Sequence, residues 1–328
     1  MIVIPYSAEY EQLWDEFIDK KSMNGTFLHS RRFLNYHGTE KFSDCSIIIG
    51  NNFTDIWAVI PACERQIDGK KAFFSHMGST YGGLVINKIR YNLLDMIDIL
   101  DSLDEYLKEQ KYNEVILKMT PDIFSLESSD LCQYLLSYKG FSNYTELSTY
   151  IDYPTYGDDV LVHMNNARRR KIKKCFAAEL SFKMISSDSE IEAFYKLLLE
   201  NLAKHGVKPV HTLPELLEFR NSRLPEVVDF YGVFMQEEMI AGAMSFNFKN
   251  ANVLHIQYSA AKQELEKLTP MSFLFYNLIN HGIKNGFSRL SWGISTEQQG
   301  RILNQPLAQT KESYGSKFTL NRTFYKEL

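Results

Sequence analysis

Lys267 to Ser272 (KLTPMS) form the segment whose residue types and order best suit the binding of an anion. This segment follows a predicted strand that ends near Ala261 and precedes a predicted helix. Thr269 is a favourable N-cap residue, and Pro270 suits the first helical position because its missing N–H is not needed there. A helix start presents backbone N–H groups to an anion, and the helix dipole strengthens the attraction. Every αβ protein contains such helix starts, so a purely structural cap is the alternative.

The strand before this helix carries two candidate catalytic side chains, His255 and Tyr258. Strict alternation puts His255 and Gln257 on one face of the strand and Tyr258 on the other. Imidazole titrates near neutral pH, so His255 is a candidate base for taking a proton from an amine. The alternative is a half-buried strand histidine that is bonded to a backbone carbonyl.

A basic run, Asn165-Asn-Ala-Arg-Arg-Arg-Lys-Ile-Lys-Lys174, is predicted to be helical. Helical spacing places Arg168 and Lys171 along one face, with Lys174 nearly in line. In an acidic chain, this face is a candidate for binding the phosphates of a nucleotide-linked sugar, a CoA or a tRNA end. A solvated charged face is the usual meaning of such a run and is the alternative.

Polar residues also cluster at turns in the first half and near the middle of the chain. The loop HMGSTYGG (76–83) has glycines that let a ligand or another backbone approach closely. The candidate substrate-binding residues at these turns are His29, Arg31, His76, Tyr81, Gly82, His205 and His211. Plain β-turns, and for His211 a structural place before a helix cap, are the alternatives.

Two stretches, about 45–153 and about 227–328, repeat one order of predicted elements: strands, helix, strand, helix, strand. The helix ends match as SYKGF and SYGSKF. A strand meander followed by one helix and a buried strand is not a doubly wound sheet. We therefore predict an α/β fold of two tandem domains, 1–155 and 156–328, each a mixed, partly antiparallel sheet flanked by helices.

Composition narrows the classes of function. A net charge of −4 and a pI of about 6.1 exclude general coating of nucleic acid, and we expect no DNA partner. The four cysteines have no Cys-x-x-Cys pair and no His/Cys cluster has metal spacing, so we expect reduced thiols and no metal. The N-terminus lacks a basic n-region and no apolar run is long enough to span a bilayer. We expect a cytoplasmic chain without membrane insertion.

The chain resembles a known family over nearly its whole length, through the order of several segments. The clearest are HIQYSAAKQELEKLTPMSFLFYNLINHGIKNGFSRLSWGIST and QGRILNQPLAQTKESYGSKF in the second half. KHGVKPVHTLPELLEFRNSRLPEVV, GTFLHSRRFLNYHG and SHMGSTYGGLVI add to the likeness. Together they resemble tandem GNAT-type acyltransferases, including the group related to the Fem peptidoglycan aminoacyltransferases.

This resemblance implies a direct transfer, in which an acyl donor lies where two central strands splay and an amine attacks its carbonyl. The donor's phosphates would lie at the helix that starts near Thr269. On this basis we assign donor binding to Lys267, Thr269, Met271, Ser272 and Asn304, and we place Trp292 among the substrate-binding residues. The usual GNAT phosphate loop is rich in glycine, whereas 267–272 contains none, a departure that the Fem-related group shares.

A second departure concerns the catalytic acid. Many GNAT enzymes carry Asn-x-x-Ala-x-x-x-Tyr on the helix after the splayed strand. Here Asn304, Leu307, Lys311 and Gly315 keep the spacing, with lysine where tyrosine would stand, as in the Fem-related group. A cation facing the reacting carbonyl stabilises the developing oxyanion, so Lys311 is our third candidate catalytic residue. A lysine on an exposed helix face is the alternative.

We therefore predict an N-acyltransferase that moves an acyl group from acyl-CoA, such as acetyl-CoA, to an amine on an amino-sugar or cell-envelope precursor. The second half is expected to hold the donor and the chemistry, because the 267–269 segment and Lys311 have no obvious counterparts in the first half. Two alternatives stay open: a Fem-like transferase that uses aminoacyl-tRNA, and a non-catalytic duplicated GNAT protein that binds a ligand or partner.

Overall fold

The computed structural model describes residues 1–38, 41–157, 159–204 and 206–328. Its strands are β1 (Ile2–Pro5), β2 (Ile47–Asn52), β3 (Asp55–Ile60), β4 (Ala62–Ile67), β5 (Lys70–Ser75), β6 (Val85–Ile86), β7 (Glu114–Lys118), β8 (Ser142–Asp152), β9 (Leu180–Ile185), β10 (Val228–Met235), β11 (Glu238–Phe248), β12 (Val253–Ala261), β13 (Arg289–Ile294), β14 (Thr296–Glu297), β15 (Ile302–Leu303) and β16 (Lys317–Glu327). Its α-helices are α1 (Glu11–Glu16), α2 (Arg31–Leu34), α3 (Leu93–Glu109), α4 (Asp130–Tyr138), α5 (Asn166–Phe176), α6 (Asp188–Ala203), α7 (Leu213–Glu218), α8 (Pro270–Lys284) and α9 (Gln305–Glu312).

Several helices begin where the local sequence provides a capping side chain. Ser187 accepts the backbone N–H of Glu190 at the start of α6. The capping box that the sequence indicates at α7 is confirmed, with Thr212 accepting from the backbone of Glu215 and the Glu215 carboxylate reaching back to the Thr212 N–H. These caps satisfy N–H groups that have no partner inside the helix.

The first unit comprises residues 1–146 and 320–328. One sheet is antiparallel, in the order β1-β2-β3-β6. In a second sheet, β4 pairs antiparallel with β5, β5 pairs parallel with β7, and β7 pairs antiparallel with β16. α3 and α4 bury their apolar faces in the same core as residues of these strands. The unit is a mixed sheet structure flanked by helices, as predicted.

The second unit comprises residues 147–319. β9, β10, β11 and β12 form an antiparallel meander with β9 at the edge, β12 pairs parallel with β13, and β13 pairs antiparallel with β8. Helices cover both faces. Ala241 and Ala243 lie in the core that α8 fills, whereas a side chain at Gly242 would meet the ring of Phe194 on α6. The predicted mixed α/β fold is confirmed.

The two units divide the chain differently from the expected domains 1–155 and 156–328. The division falls after Glu146, and the C-terminal strand belongs to the first unit. The reason is that the last strands of the two repeats, β8 and β16, are exchanged. The second part of β8 pairs with β13, and the second part of β16 pairs with β7. The repeated sequence does not reveal this exchange, because the sequence of a strand does not specify which distant strand it pairs with.

The segment WAVIPACERQ, which reads as one strand, is two strands in different sheets. β3 ends at Ile60 and β4 begins at Ala62, and Pro61 lies between them. Proline has no N–H to donate to a ladder, so it marks the point where the chain leaves one sheet for the other.

Cys45, Cys63, Cys132 and Cys175 are free thiols, as expected. Among the described residues, no helix combines the length and apolar character needed to cross a membrane. In the same part of the chain no three His, Cys, Asp or Glu side chains are grouped to hold a metal ion, and the expected absence of a metal stays a prediction.

Candidate active site

β12 and β13 lie side by side for three residues and then part. Their last paired residues are His255 and Ser291. Just beyond, Gln257 is the extra residue of a bulge in β12. β13 has a bulge at Trp292, followed by Gly293 in the left-handed region with a φ of 73°. Because bulges bend a strand and increase its twist, the two strands separate here. This is the splayed arrangement that the resemblance implies.

Lys311 lies at this separation and is almost fully buried, not on an exposed helix face. Its Nζ donates to the backbone carbonyls of Gly293, at 3.0 Å, and Ile294, at 2.7 Å. Burial lowers the pKa of Lys311 to about 8, and no carboxylate among the described residues opposes that shift. The result is an ammonium that is held by two main-chain dipoles and has no counter-ion in the part of the chain that the structure describes.

His255 is half-buried at the end of the paired segment, with its Nδ1 3.0 Å from the hydroxyl of Ser291. Burial is the main cause that lowers its pKa to about 4, the charge of Lys311 lowers it further, and the interaction with the Gln257 side chain opposes the shift. At neutral pH the imidazole is therefore uncharged and only a weak base. This environment argues against the assignment of His255 as the general base.

Tyr258 and His255 lie on the same face of β12, so the alternation prediction is wrong. Tyr258 pairs with Met244 and His255 with Phe246, and these two residues of β11 are two positions apart. The bulge at Gln257 adds one residue and reverses the facing of everything after it. The Tyr258 hydroxyl lies 2.8 Å from Nδ1 of His211, which is buried.

The start of α8 differs from the expected phosphate site. Thr269 has left-handed backbone angles, with a φ of 52°, and its side chain caps no backbone N–H, so the predicted N-cap is wrong. Its carbonyl accepts the N–H groups of Ser272 and Phe273, and Pro270 has none to give. Of the first four residues of the helix, this leaves the N–H of Met271 to meet an anion.

The loop before α8 is covered by the basic helix α5. Lys174 donates to the carbonyl of Lys267 at 2.8 Å, and the Cys175 thiol lies 3.2 Å from the carbonyl of Leu268. Glu264 and Glu266 place two exposed carboxylates in the same loop. Lys267 is exposed, but its surroundings are less favourable to a diphosphate than the sequence suggests.

Arg168 braces three elements of the second unit. Its guanidinium donates to the hydroxyls of Ser272, at 2.8 Å, and Ser313, at 3.0 Å, and lies 4.2 Å above the ring centre of Tyr314. These contacts use two of its five N–H donors within the protein, so a structural role competes with the predicted phosphate binding. Lys171, one turn further along α5, is exposed and stays a candidate for a phosphate.

Asn304 and Trp292 have structural partners. Asn304 caps α9 by accepting the N–H of Leu307 at 3.1 Å. Trp292 is buried, donates its indole N–H to Ser316 at 2.8 Å and packs beside Tyr314. Trp292 is therefore a core side chain that shapes β13, not a residue that contacts substrate.

In the first unit, His29 and Arg31 are fully buried, which contradicts a role in substrate binding. Nδ1 of His29 accepts the backbone N–H of Thr26 at 2.9 Å, and burial lowers the pKa of His29 to about 4. Arg31 forms an ion pair with Asp44 and lies 3.4 Å above the ring centre of Tyr6. Both side chains fix the start of α2.

His76, Tyr81 and Gly82 are also used internally. His76 is buried and accepts the N–H of Gly78 at 3.2 Å, and burial lowers its pKa to about 4. Tyr81 is buried and stacks on Phe124. A side chain at Gly82 would lie 3.3 Å from the backbone nitrogen of His76, so the close approach expected at this glycine is made by the protein's own backbone.

Of the sequence-predicted residues, the fold brings Lys311 near His255, and it brings Tyr258 into contact with His211. His205 lies outside the described residues. Sequence reasoning assigned no role to Gln257, whose side chain affects the pKa of both His255 and Tyr258. No signal in the sequence marks a bulge at that position.

Comparison with known proteins is consistent with this geometry. Residues 163–299 match the acetyltransferase (GNAT) domain family. No curated protein matches the chain.

Solved structures share the fold across the whole chain. FemX superposes with a TM-score of 0.72 at 11% identity, covering 100% of this chain and 98% of FemX. The lysylphosphatidylglycerol synthase of Bacillus licheniformis gives 0.61 at 13% identity, with 99% and 94% covered. A tandem GNAT protein from the clavulanic acid biosynthesis pathway gives 0.53 at 8% identity, with 99% and 98% covered. The tandem GNAT fold is confirmed over the whole chain, and residues 163–299 match an acetyltransferase (GNAT) domain.

Proposed function

We propose, from the acetyltransferase (GNAT) domain at residues 163–299, that this chain transfers an acyl group from acyl-CoA to an amine. The observation that carries the proposal is the Lys311 ammonium, held where β12 and β13 part. A buried cation without a counter-ion is costly, so its presence at this point favours a role towards a negative charge that arises there. An amino-sugar or cell-envelope precursor is the acceptor we propose.

In this reaction the amine nitrogen attacks the thioester carbonyl. A C–N bond forms, the C–S bond breaks, and the thiol leaves with a proton in place of the one that the amine loses. Negative charge develops on the carbonyl oxygen in between. An ammonium has three N–H donors, of which Gly293 and Ile294 take two. We assign the third to the developing oxyanion, where one such donor contributes about 10²- to 10³-fold in kcat.

Aminoacyl-tRNA is a second candidate donor, favoured by the surroundings of α8. The helix start offers few N–H groups, and Glu264 and Glu266 lie in the loop before it. Both features disfavour a diphosphate held in the usual GNAT manner. α5 meanwhile exposes Arg170, Lys171 and Lys173, which suit a longer run of phosphates. A thioester donor keeps first place because the chain lacks the sustained heptad run of a Fem-type helical arm.

A binding experiment separates these donors from each other and from a non-catalytic role. Acetyl-CoA, free CoA and a charged tRNA mimic are titrated against the full chain by ligand-detected NMR. We expect acetyl-CoA to bind, and we expect the chain to transfer its acetyl group to glucosamine. Binding of the tRNA mimic alone favours the second candidate, and binding of none of the three overturns both.

A matched pair of variants tests the role of Lys311. Lys311→Met should lower kcat by about 10²-fold or more, because it removes the cation facing the oxyanion. Lys317→Met is the control, since Lys317 is an exposed lysine of the same unit that pairs with Asp152. Equal activity in the two variants would remove the oxyanion role from Lys311.

A further inference from the structure

We propose that Tyr258 and His211 act as a dyad that takes the proton from the attacking amine. This inference rests on the proposed transfer to an amine. An aliphatic amine is mostly protonated at neutral pH, so it must lose a proton to attack and a second one afterwards. General base catalysis of this kind contributes about 10²- to 10⁴-fold.

The other side chains at the splayed strands do not suit this task. Lys311 is a cation engaged by two carbonyls, and the Nδ1 of His255 is engaged by Ser291. The charge of Lys311 also opposes a second positive charge on His255. A base further along β12, away from the ammonium, meets less of that repulsion.

Tyr258 lies on the part of β12 that has already left β13, three positions beyond the last paired residue, His255. The bulge at Gln257 turns Tyr258 to the same face as His255. The phenol is half-buried.

His211 is set to receive a proton from Tyr258. Its Nδ1 lies 2.8 Å from the Tyr258 hydroxyl, and its ring is only 4% exposed. The ring meets Phe219 edge-on, with centroids 5.3 Å apart, and meets the Tyr258 ring edge-on at 5.8 Å. These contacts hold the imidazole in one orientation.

The Tyr258 oxygen is also surrounded by donors. Hydrogen bonds from the Gln257 side chain and from the backbone N–H groups of Val210 and His211 each lower the pKa of Tyr258, against burial, which is the larger effect and raises it. The phenol therefore keeps its own proton at rest. The donors stabilise its oxygen at the moment when the proton moves on.

The proton step balances without a further reactant. Tyr258 Oη takes the first proton from the amine nitrogen as its own proton passes to Nδ1 of His211, which becomes an imidazolium and later releases that proton to solvent. The second proton of the amine leaves with the thiol. The nitrogen lone pair forms the C–N bond. The relay requires the tautomer in which Nδ1 carries no proton at rest. Tyr258 is then the catalytic residue and His211 acts through it.

The kinetic test uses the full chain with acetyl-CoA and two acceptors. With glucosamine, Tyr258→Phe and His211→Gln should each lower kcat about 10²-fold, and the double variant should be no worse than either single one, because they break one relay. With hydroxylamine, whose nitrogen is neutral at the assay pH, the loss should shrink to a few-fold. A structural defect would lower kcat equally with both acceptors.

The matched control is Tyr195→Phe, which removes a phenol that donates to the backbone carbonyl of His211. It should leave kcat within two-fold of wild type. Equal losses in Tyr195→Phe and Tyr258→Phe, or additive losses in the double variant, overturn the dyad. Wild-type inactivity with every donor and acceptor is instead a failure of the proposed acyl transfer.

A measurement without turnover decides the dyad independently. In ¹⁵N-histidine NMR, His211 should show an unprotonated, hydrogen-bonded Nδ1, and Tyr258→Phe should shift that nitrogen while leaving His255 unchanged. A protonated Nδ1 in the wild-type chain overturns the relay whatever the kinetics show.

Discussion

Lys311 is a lysine that changes charge close to working pH. Burial lowers its pKa from 10.5 to about 8, while the carbonyls of Gly293 and Ile294 accept hydrogen bonds from either charge state. His255, whose pKa is lowered to about 4, stays neutral over the same range. Among these two side chains, only Lys311 titrates between pH 7 and 9, so the charge at the splayed strands depends on pH there.

This gives a prediction for acyl transfer. The cation is present below pH 8 and is lost as pH rises through about 8, so kcat should fall over that interval if the ammonium faces the oxyanion. Lys311→Arg keeps its charge and should not show the fall. The measurement is the ratio of the two pH–rate profiles, which cancels the titration of the acceptor amine. A constant ratio from pH 7 to 9.5 contradicts the role of the ammonium.

At the scale of elements, α5 braces the second unit. Arg168 joins it to the first turn of α8 through Ser272 and to the end of α9 through Ser313. Lys174 and Cys175 hold the loop before α8. The sequence of α5 suggests a solvated charged face. In the structure, some of its polar residues instead pack against the elements around the candidate site.

Arg168→Ala should lower the free energy of unfolding by about 1–2 kcal/mol. The substitution removes a half-buried guanidinium together with its two hydrogen bonds and its packing on the Tyr314 ring. Arg168→Lys should recover little of it, since an ammonium cannot reproduce the fork. Arg170→Ala is the control, because exposed Arg170 bonds only to Asn166 of its own helix. Urea unfolding measures all three, and equal losses for Arg168→Ala and Arg170→Ala would contradict the brace.

At the scale of the whole chain, the two repeats exchange their last strands. β16 closes the first unit by pairing with β7, from Thr323 opposite Lys118 to Glu327 opposite Glu114. Phe324 of this strand is buried in the core that α3 and α4 share. The first unit is therefore completed only when the last residues of the chain are in place.

Phe324→Ala should cost about 3–4 kcal/mol of unfolding free energy, as expected for removing a buried aromatic ring. Phe318→Ala on the same strand is the control, because Phe318 is 45% exposed, and it should cost under about 1 kcal/mol. Chemical denaturation of both variants gives the comparison. Similar costs would mean that β16 does not complete the core.

Local pattern in the sequence predicted most of the elements. The apolar spacing of α3 and α6, the capping box at Thr212 and the repeated order of strands and helices all appear in the structure. These features depend on residues a few positions apart, so the sequence carries them directly. The single strand expected across Pro61 is the exception, because two sheets meet there.

The site was only partly predictable, because its geometry depends on residues that are far apart in the sequence. Lys311 and Tyr258 were candidates from the sequence, but a one-residue bulge at Gln257 decided which way Tyr258 faces and brought it to His211. His29 and Arg31, candidates by type, and Trp292, a candidate by resemblance, are core side chains by position. The sequence by itself determined the helices and strands and marked Lys311 as a candidate, since periodicity and motif spacing are local. Strand exchange, burial and the bulge were decided by the tertiary structure, since each depends on residues that meet only when distant segments pack.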